Sequence, residues 1–143
     1  SRLGGHLESR DSPQVWPRWH ERFAPSGLAL RAFVEPSAVA TTVEALDRRF
    51  AGAAPLISAT VSAGVVRTLL DPAPDRASTL HDSAIETVQR HGGAIVIDAA
   101  PPALKQQIDV FGPLRADFPI MRRLKQQFDP DGVLAPGRFM GRL

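Results

Sequence analysis

The sequence predicts an α+β fold, a four-stranded antiparallel sheet with helices on one face, and three observations carry that expectation. Four stretches have strand length and pattern: Leu28 to Val34, Leu56 to Ser62, Val65 to Leu70 and Ala94 to Ala100. Two longer stretches carry apolar residues at helical spacing, Val39-Val43-Leu46-Phe50 and Leu80-Ala84-Ile85-Val88. Their order is strand, helix, strand, strand, helix, strand, the ferredoxin-like βαββαβ pattern. Right-handed crossovers then put the first and third strands at the centre, in sheet order 4-1-3-2.

Taken in order, residues 1–26 show no clear period. Gly4-Gly5, Pro13, Pro17 and Pro25 surround the cluster Trp16-Pro17-Arg18-Trp19-His20. Proline at this density argues for a linker or irregular segment, since it removes backbone donors and breaks helices. Residues 27–143 then form the domain. Leu28, Leu30, Ala32 and Val34 share one face of the first strand, and Ala29, Arg31 and Phe33 the other. Glu35-Pro36-Ser37 opens the first helix, with proline in its first turn. Ala51-Gly52-Ala53-Ala54-Pro55 ends it. Ala63-Gly64 reads as a two-residue hairpin between the second and third strands. After the loop Asp71-Pro72-Ala73-Pro74, a helix runs from Arg76 to His91, with Gly92-Gly93 as its C-terminal cap. Pro101-Pro102 breaks the fourth strand, and Ala103 to Ile108 forms a short helix. A last helix begins near Asp117 to Pro119, with Ile120, Leu124 and Phe128 as its inward face.

The hairpin makes Ser62 and Val65 cross-strand partners, which sorts the sheet into two faces. Leu28, Leu30, Ala32, Val34, Ile57, Ala59, Val61, Val66, Thr68, Leu70, Ile95, Ile97 and Ala99 face the helices. The outer face carries Arg31, Phe33, Ser58, Thr60, Ser62, Val65, Arg67, Leu69, Val96 and Asp98. Arg31 has Asp98 within reach as an ion-pair partner. Arg67 has no obvious partner on a strand, and guanidinium suits bidentate recognition of a carboxylate. Arg67 and Arg31 are therefore the candidate substrate-binding residues. The face is half apolar, so a dimer through Phe33, Val65, Leu69 and Val96 is expected of the isolated chain, weakened by the two arginines.

Composition narrows the function. The 143 residues are 43% hydrophobic and 22% charged, ordinary for a globular domain with a real core. Without cysteine there is neither a disulfide nor a thiolate site. The net charge is only +2, and the third strand lacks the stacking aromatics of an RNA-recognition sheet, so nucleic acid is not an expected partner. His6, His20, His81 and His91 lack metal-ligand spacing on a helix, and no metal site is expected. No GxGxxG, phosphate-binding P-loop or nucleophile elbow occurs. No apolar run spans a membrane, and no basic-then-apolar leader is present. The chain starts with serine, which fits an expressed fragment or a cleaved tag.

The C-terminal stretch carries the most specific pattern. Phe128-Asp129-Pro130-Asp131-Gly132 stops a helix and turns the chain; Val133 and Leu134 return as apolar anchors; Pro136-Gly137 suits a type II turn. Phe128-Asp129-Pro130-x-Gly132 followed by Pro136-Gly137-Arg138 resembles the C-terminal signature of FAD-linked oxidases of the vanillyl-alcohol-oxidase type. Ala103-Leu104-Lys105, Asp109-Val110-Phe111-Gly112 and Met121-Arg122-Arg123-Leu124-Lys125 look more specifically like the FAD-binding subunit of bacterial glycolate oxidase. The resemblance covers about the last fifty residues well and the middle more loosely. Ala135 departs from it, standing where asparagine is common in the wider family.

The resemblance implies a C-terminal cap domain of an oxidoreductase, a flavoprotein that oxidises a 2-hydroxy acid such as glycolate. There, hydride passes from the substrate α-carbon to the flavin N5. FAD is held by an upstream domain of the same polypeptide, which these residues do not include, so none is expected on this chain alone. It further implies Arg138, Pro136 and Gly137 as cofactor-side residues, other subunits of an oxidase complex as partners, and a cytoplasmic location, peripheral to the membrane within that complex. The alternative is a free-standing βαββαβ module that binds small metabolites or dimerises.

Overall fold

The computed structural model describes residues 27–71 and 76–143. The expected linker over 1–26, with Trp16 and Trp19, lies outside them. Strands β1 (Leu28–Phe33), β2 (Leu56–Thr60), β3 (Val65–Leu70) and β4 (Ala94–Ala99) form one antiparallel sheet in the order β2-β3-β1-β4. Read from the other edge this is 4-1-3-2, with the first and third strands central. Helix α1 (Val39–Phe50) follows β1 and α2 (Ala77–Arg90) follows β3. Two further helices, α3 (Pro102–Gln107) and α4 (Phe118–Phe128), come after β4. No helix among the described residues is long and apolar enough to cross a membrane.

The core follows from the alternation along the strands. Leu28, Leu30, Ala32, Val66, Leu70, Ile95 and Ile97 are buried in one cluster with Val39, Leu46 and Phe50 of α1 and Leu80, Ala84 and Val88 of α2. Phe50, 1% exposed, is the largest of the fully buried side chains. Thr42 sits buried in the same stripe, its hydroxyl donating to the Ala38 carbonyl at 2.7 Å, so its polar atom is satisfied within the helix. Arg49 of α1 donates to the Ser83 hydroxyl of α2 at 2.6 Å and ties the two helices together. At the end of α2, Gly93 N–H donates to the Val88 carbonyl and Gly92 N–H to the Gln89 carbonyl. With Gly92 at φ 70°, this is a Schellman cap.

The hairpin differs from the expected two-residue loop. Thr60, not Ser62, pairs with Val65; Val61–Ala63 form a 3-10 turn and Gly64 takes φ 63°. The Gly64 carbonyl also ties the loop to β1, accepting the Val34 N–H at 2.9 Å. A Cβ at Gly64 would collide with the Val34 carbonyl oxygen, so only glycine fits this close approach. The register therefore shifts by two residues. Because side chains alternate with a period of two, the face assignment of β2 survives the shift. Two members of the expected core face do not: Ala59 and Val61 are exposed, since they lie at and beyond the sheet edge.

Helix α4 and the tail correct the sequence reading more strongly. Ile120, Leu124 and Phe128 are 60%, 50% and 76% exposed, and no residue of α4 is buried. Val133 and Leu134 are 73% and 65% exposed, so they are not anchors either. The amphipathic period is real, but its apolar stripe faces away from the core. Met140, 7% exposed, is the apolar residue buried there instead.

Candidate functional site

Among the described residues, two places gather candidate functional side chains. The first is the outer sheet face. β1 sets Arg31 directly opposite Arg67 of β3, and β3 sets Arg67 opposite Ser58 of β2. The pairing of β1 with β4 is regular from Leu30–Ile97 to Phe33–Ala94, then slips so that Ala29 faces Ala99. Asp98 is the extra residue of this bulge, a feature that re-aims a side chain. Its carboxylate accepts two hydrogen bonds from the Arg31 guanidinium, Nε at 3.0 Å and Nη2 at 2.6 Å. Arg31 is thus neutralised by a bidentate partner. Arg67 has no ion pair or side-chain hydrogen bond among the described residues. Leu69, Val65 and Val96 around it are half-buried, and Phe33 is 41% exposed.

The second place is a cleft of about 310 Å³ beneath the C-terminal tail. Its making begins at β4. Residues 108–112 run back along the β4 edge, where the Val110 carbonyl accepts the Ile97 N–H at 2.7 Å. Gly112, at φ 77°, passes so close to the Ile95 carbonyl that a Cβ would stand 2.9 Å from its oxygen. Asp109 then fastens the tail to this segment. One carboxylate oxygen accepts the Phe111 N–H at 2.9 Å, a local Asx turn, and the other accepts the Gly141 N–H at 2.7 Å. The Phe111 and Phe139 rings meet with centroids 5.4 Å apart and planes tilted by 52°, within the separation that aromatic pairs favour. Lys105, Ile108, Val110, Gly137, Arg138 and Arg142 complete the lining.

A third feature shapes the chain between α4 and the cleft. The Asp129 carboxylate accepts the N–H groups of Val133 at 2.8 Å and Leu134 at 3.0 Å and pairs with the Lys125 ammonium. Lys125 also donates to the Leu134 carbonyl at 2.6 Å. The hydrogen bond from Lys125, against the opposing effect of burial and with help from the two backbone donors, holds the Asp129 carboxyl below the usual carboxylate range. The FDPDG sequence is thus a rigid turn wired through its own aspartate. The next turn joins Arg138 N–H to the Ala135 carbonyl with Gly137 at φ 70°, and Ala135 itself sits at φ 47°. A left-handed backbone is one that asparagine adopts at lower cost than alanine.

The candidate residues therefore fall into separate sets. Arg31 and Arg67 are neighbours on the sheet; Gly137 and Arg138 line the cleft, and Pro136 lies on the turn outside its lining. In the sequence, Lys105, Asp109 and Phe111 stand out only within the motifs that carry the resemblance, without a binding role, and Phe139 and Arg142 do not stand out. The four-residue spacing of Arg138 and Arg142 about an aromatic was the available signal. The cleft, at about 310 Å³, stands at the small end of ligand pockets, which run from about 300 to 1,000 Å³. Among the described residues, no group of three or more His, Asp or Glu side chains is placed to hold a metal ion. Comparison with protein-family models, curated proteins and solved structures finds no match to this chain.

Proposed function

We propose that the chain is a ferredoxin-like cap domain of an FAD-dependent 2-hydroxy-acid oxidase or dehydrogenase, not catalytic alone. The observation that carries the reading is the uncovered apolar stripe of Ile120, Leu124, Phe128, Val133 and Leu134, held in one rigid shape by Asp129 and Lys125. A stripe of this kind marks a surface that another body covers. Phe128 of the stripe opens the FDPDG segment that resembles the flavin oxidases, and Val133 and Leu134 follow that segment directly. In this reading the upstream FAD-binding domain of the same polypeptide covers the stripe, and other subunits of a cytoplasmic, membrane-peripheral complex join it. The outer sheet face meets the substrate. Arg67 takes the substrate carboxylate, while Asp98 holds Arg31 in place beside it and lowers the like-charge cost of two adjacent guanidinium groups.

The test compares the chain alone with the chain expressed together with the domain encoded upstream in its reading frame. Alone, it purifies colourless and shows no saturable FAD binding by calorimetry. Together, the two retain flavin, and a 2-hydroxy acid bleaches the flavin's visible absorbance. Arg67→Gln then raises KM for the acid at least about tenfold, the loss of one charged hydrogen-bond pair. Stoichiometric flavin on the chain alone, or an upstream sequence with no FAD-binding domain, overturns the reading.

A further inference from the structure

We propose that the cleft beneath the tail is a binding site for a small phosphate monoester that carries a flat apolar group. Three cationic side chains, Lys105, Arg138 and Arg142, line it, against one carboxylate, Asp109, whose two oxygens already accept backbone N–H groups. Three positive charges minus one negative leave an excess of two, which matches a phosphate dianion and exceeds what a single carboxylate would neutralise. None of the three cations has a side-chain hydrogen bond or ion pair among the described residues. Guanidinium forks suit phosphate oxygens bidentately, and lysine adds a point charge.

The remaining lining is apolar: Ile108, Val110 and the tilted Phe111–Phe139 pair. Such a wall with a few convergent polar groups is the usual build of a small-molecule site, and the volume admits a compact ligand. The backbone also supports the site. Arg142 is held at φ 57°, a left-handed conformation that is strained for a residue with a Cβ, and Asp109 fixes the neighbouring Gly141 N–H. The site uses none of the residues of the uncovered stripe or the sheet face, and it shares Gly137 and Arg138 with the residues that the resemblance puts on the cofactor side.

Calorimetric titration of the full chain with phenyl phosphate tests it, with inorganic phosphate and phenol as half-ligand probes. Phenyl phosphate binds saturably and more tightly than either probe, and its affinity falls with added salt. Arg138→Gln and Lys105→Gln each weaken it about tenfold or more, as expected for removing a charged hydrogen bond. Arg123→Gln, an exposed change on α4 outside the lining, leaves it within about twofold. Because Lys105 and Arg138 are exposed, their variants keep the wild-type urea midpoint, which is measured alongside. The proposal is overturned by absence of saturable phenyl phosphate binding, by wild-type affinity in the Lys105→Gln/Arg138→Gln double variant, or by an equal loss in Arg123→Gln. Equal affinity for inorganic phosphate overturns its apolar half.

Discussion

Truncating Met140 distinguishes the tail's true anchor from its apparent ones. The side chain is 7% exposed, and the residue stands between Phe139, whose ring packs on Phe111, and Gly141, whose N–H Asp109 holds. Met140→Ala removes the equivalent of about two buried methylene groups, each worth about 0.8 kcal/mol. A residual cavity adds to this, although a surface tail collapses onto part of the space, so the loss is about 2 kcal/mol, the low end for such truncations. Phe128→Ala removes a larger side chain that is 76% exposed, and its cost is within about 0.5 kcal/mol. Urea unfolding followed by circular dichroism measures both, with the slope m unchanged so that the midpoint reports stability. A smaller loss for Met140→Ala than for Phe128→Ala would refute the packing argument. A loss below about 0.5 kcal/mol in both would show that the tail opens without the core, as locally unstable segments do.

Asp129 makes the FDPDG turn pH-sensitive. Its folded pKa lies below the unfolded value of about 3.9, so its stabilising contribution is complete above that value and is lost as pH falls through the lower folded pKa. The amide shifts of Val133 and Leu134 should titrate together with a midpoint below about 3.9, and a midpoint above it refutes the assignment. Ala135→Asn relieves part of a left-handed backbone strain of about 1–2 kcal/mol and should raise the urea midpoint; a fall would show that the φ of 47° is not the controlling strain. Asp98→Ala breaks a bidentate pair on a surface where both side chains are about one-third exposed, so its cost should be about 1 kcal/mol or less. A loss above about 3 kcal/mol would mean that the pair behaves as a buried one.

The strands, the two core helices and the two faces of the sheet were legible because each rests on a local period that burial enforces. The parity of β2 stayed readable even though the hairpin was misjudged, since four loop residues and two give the same alternation. The loop itself was not readable: its length is decided by the approach of Gly64 to the Val34 carbonyl, a contact between segments thirty residues apart in sequence. The period of Ile120, Leu124 and Phe128 announced an apolar face but could not say which body covers it. Hydrophobic spacing specifies a side, and the partner is set by tertiary geometry. The cleft was hidden for a related reason. Asp109 and Gly141 are joined by one hydrogen bond across 32 positions, and nothing local to either marks it.

The bulge at Asp98 has a meaning beyond the ion pair it serves. β4 reads Ala-Ile-Val-Ile-Asp-Ala, so, Asp98 apart, either of its faces is apolar enough to lie against the helices. Alternation alone leaves this strand nearly indifferent between its native pairing and one displaced by a single residue. The displaced pairing would turn the Asp98 carboxylate towards Leu80, Ala84 and Val88, away from Arg31 and from water. An unpartnered charge there costs several kcal/mol, far more than the native pair contributes. Asp98 and Arg31 therefore act chiefly on the competitors of the native sheet. They add little to its depth as a minimum and much to its uniqueness.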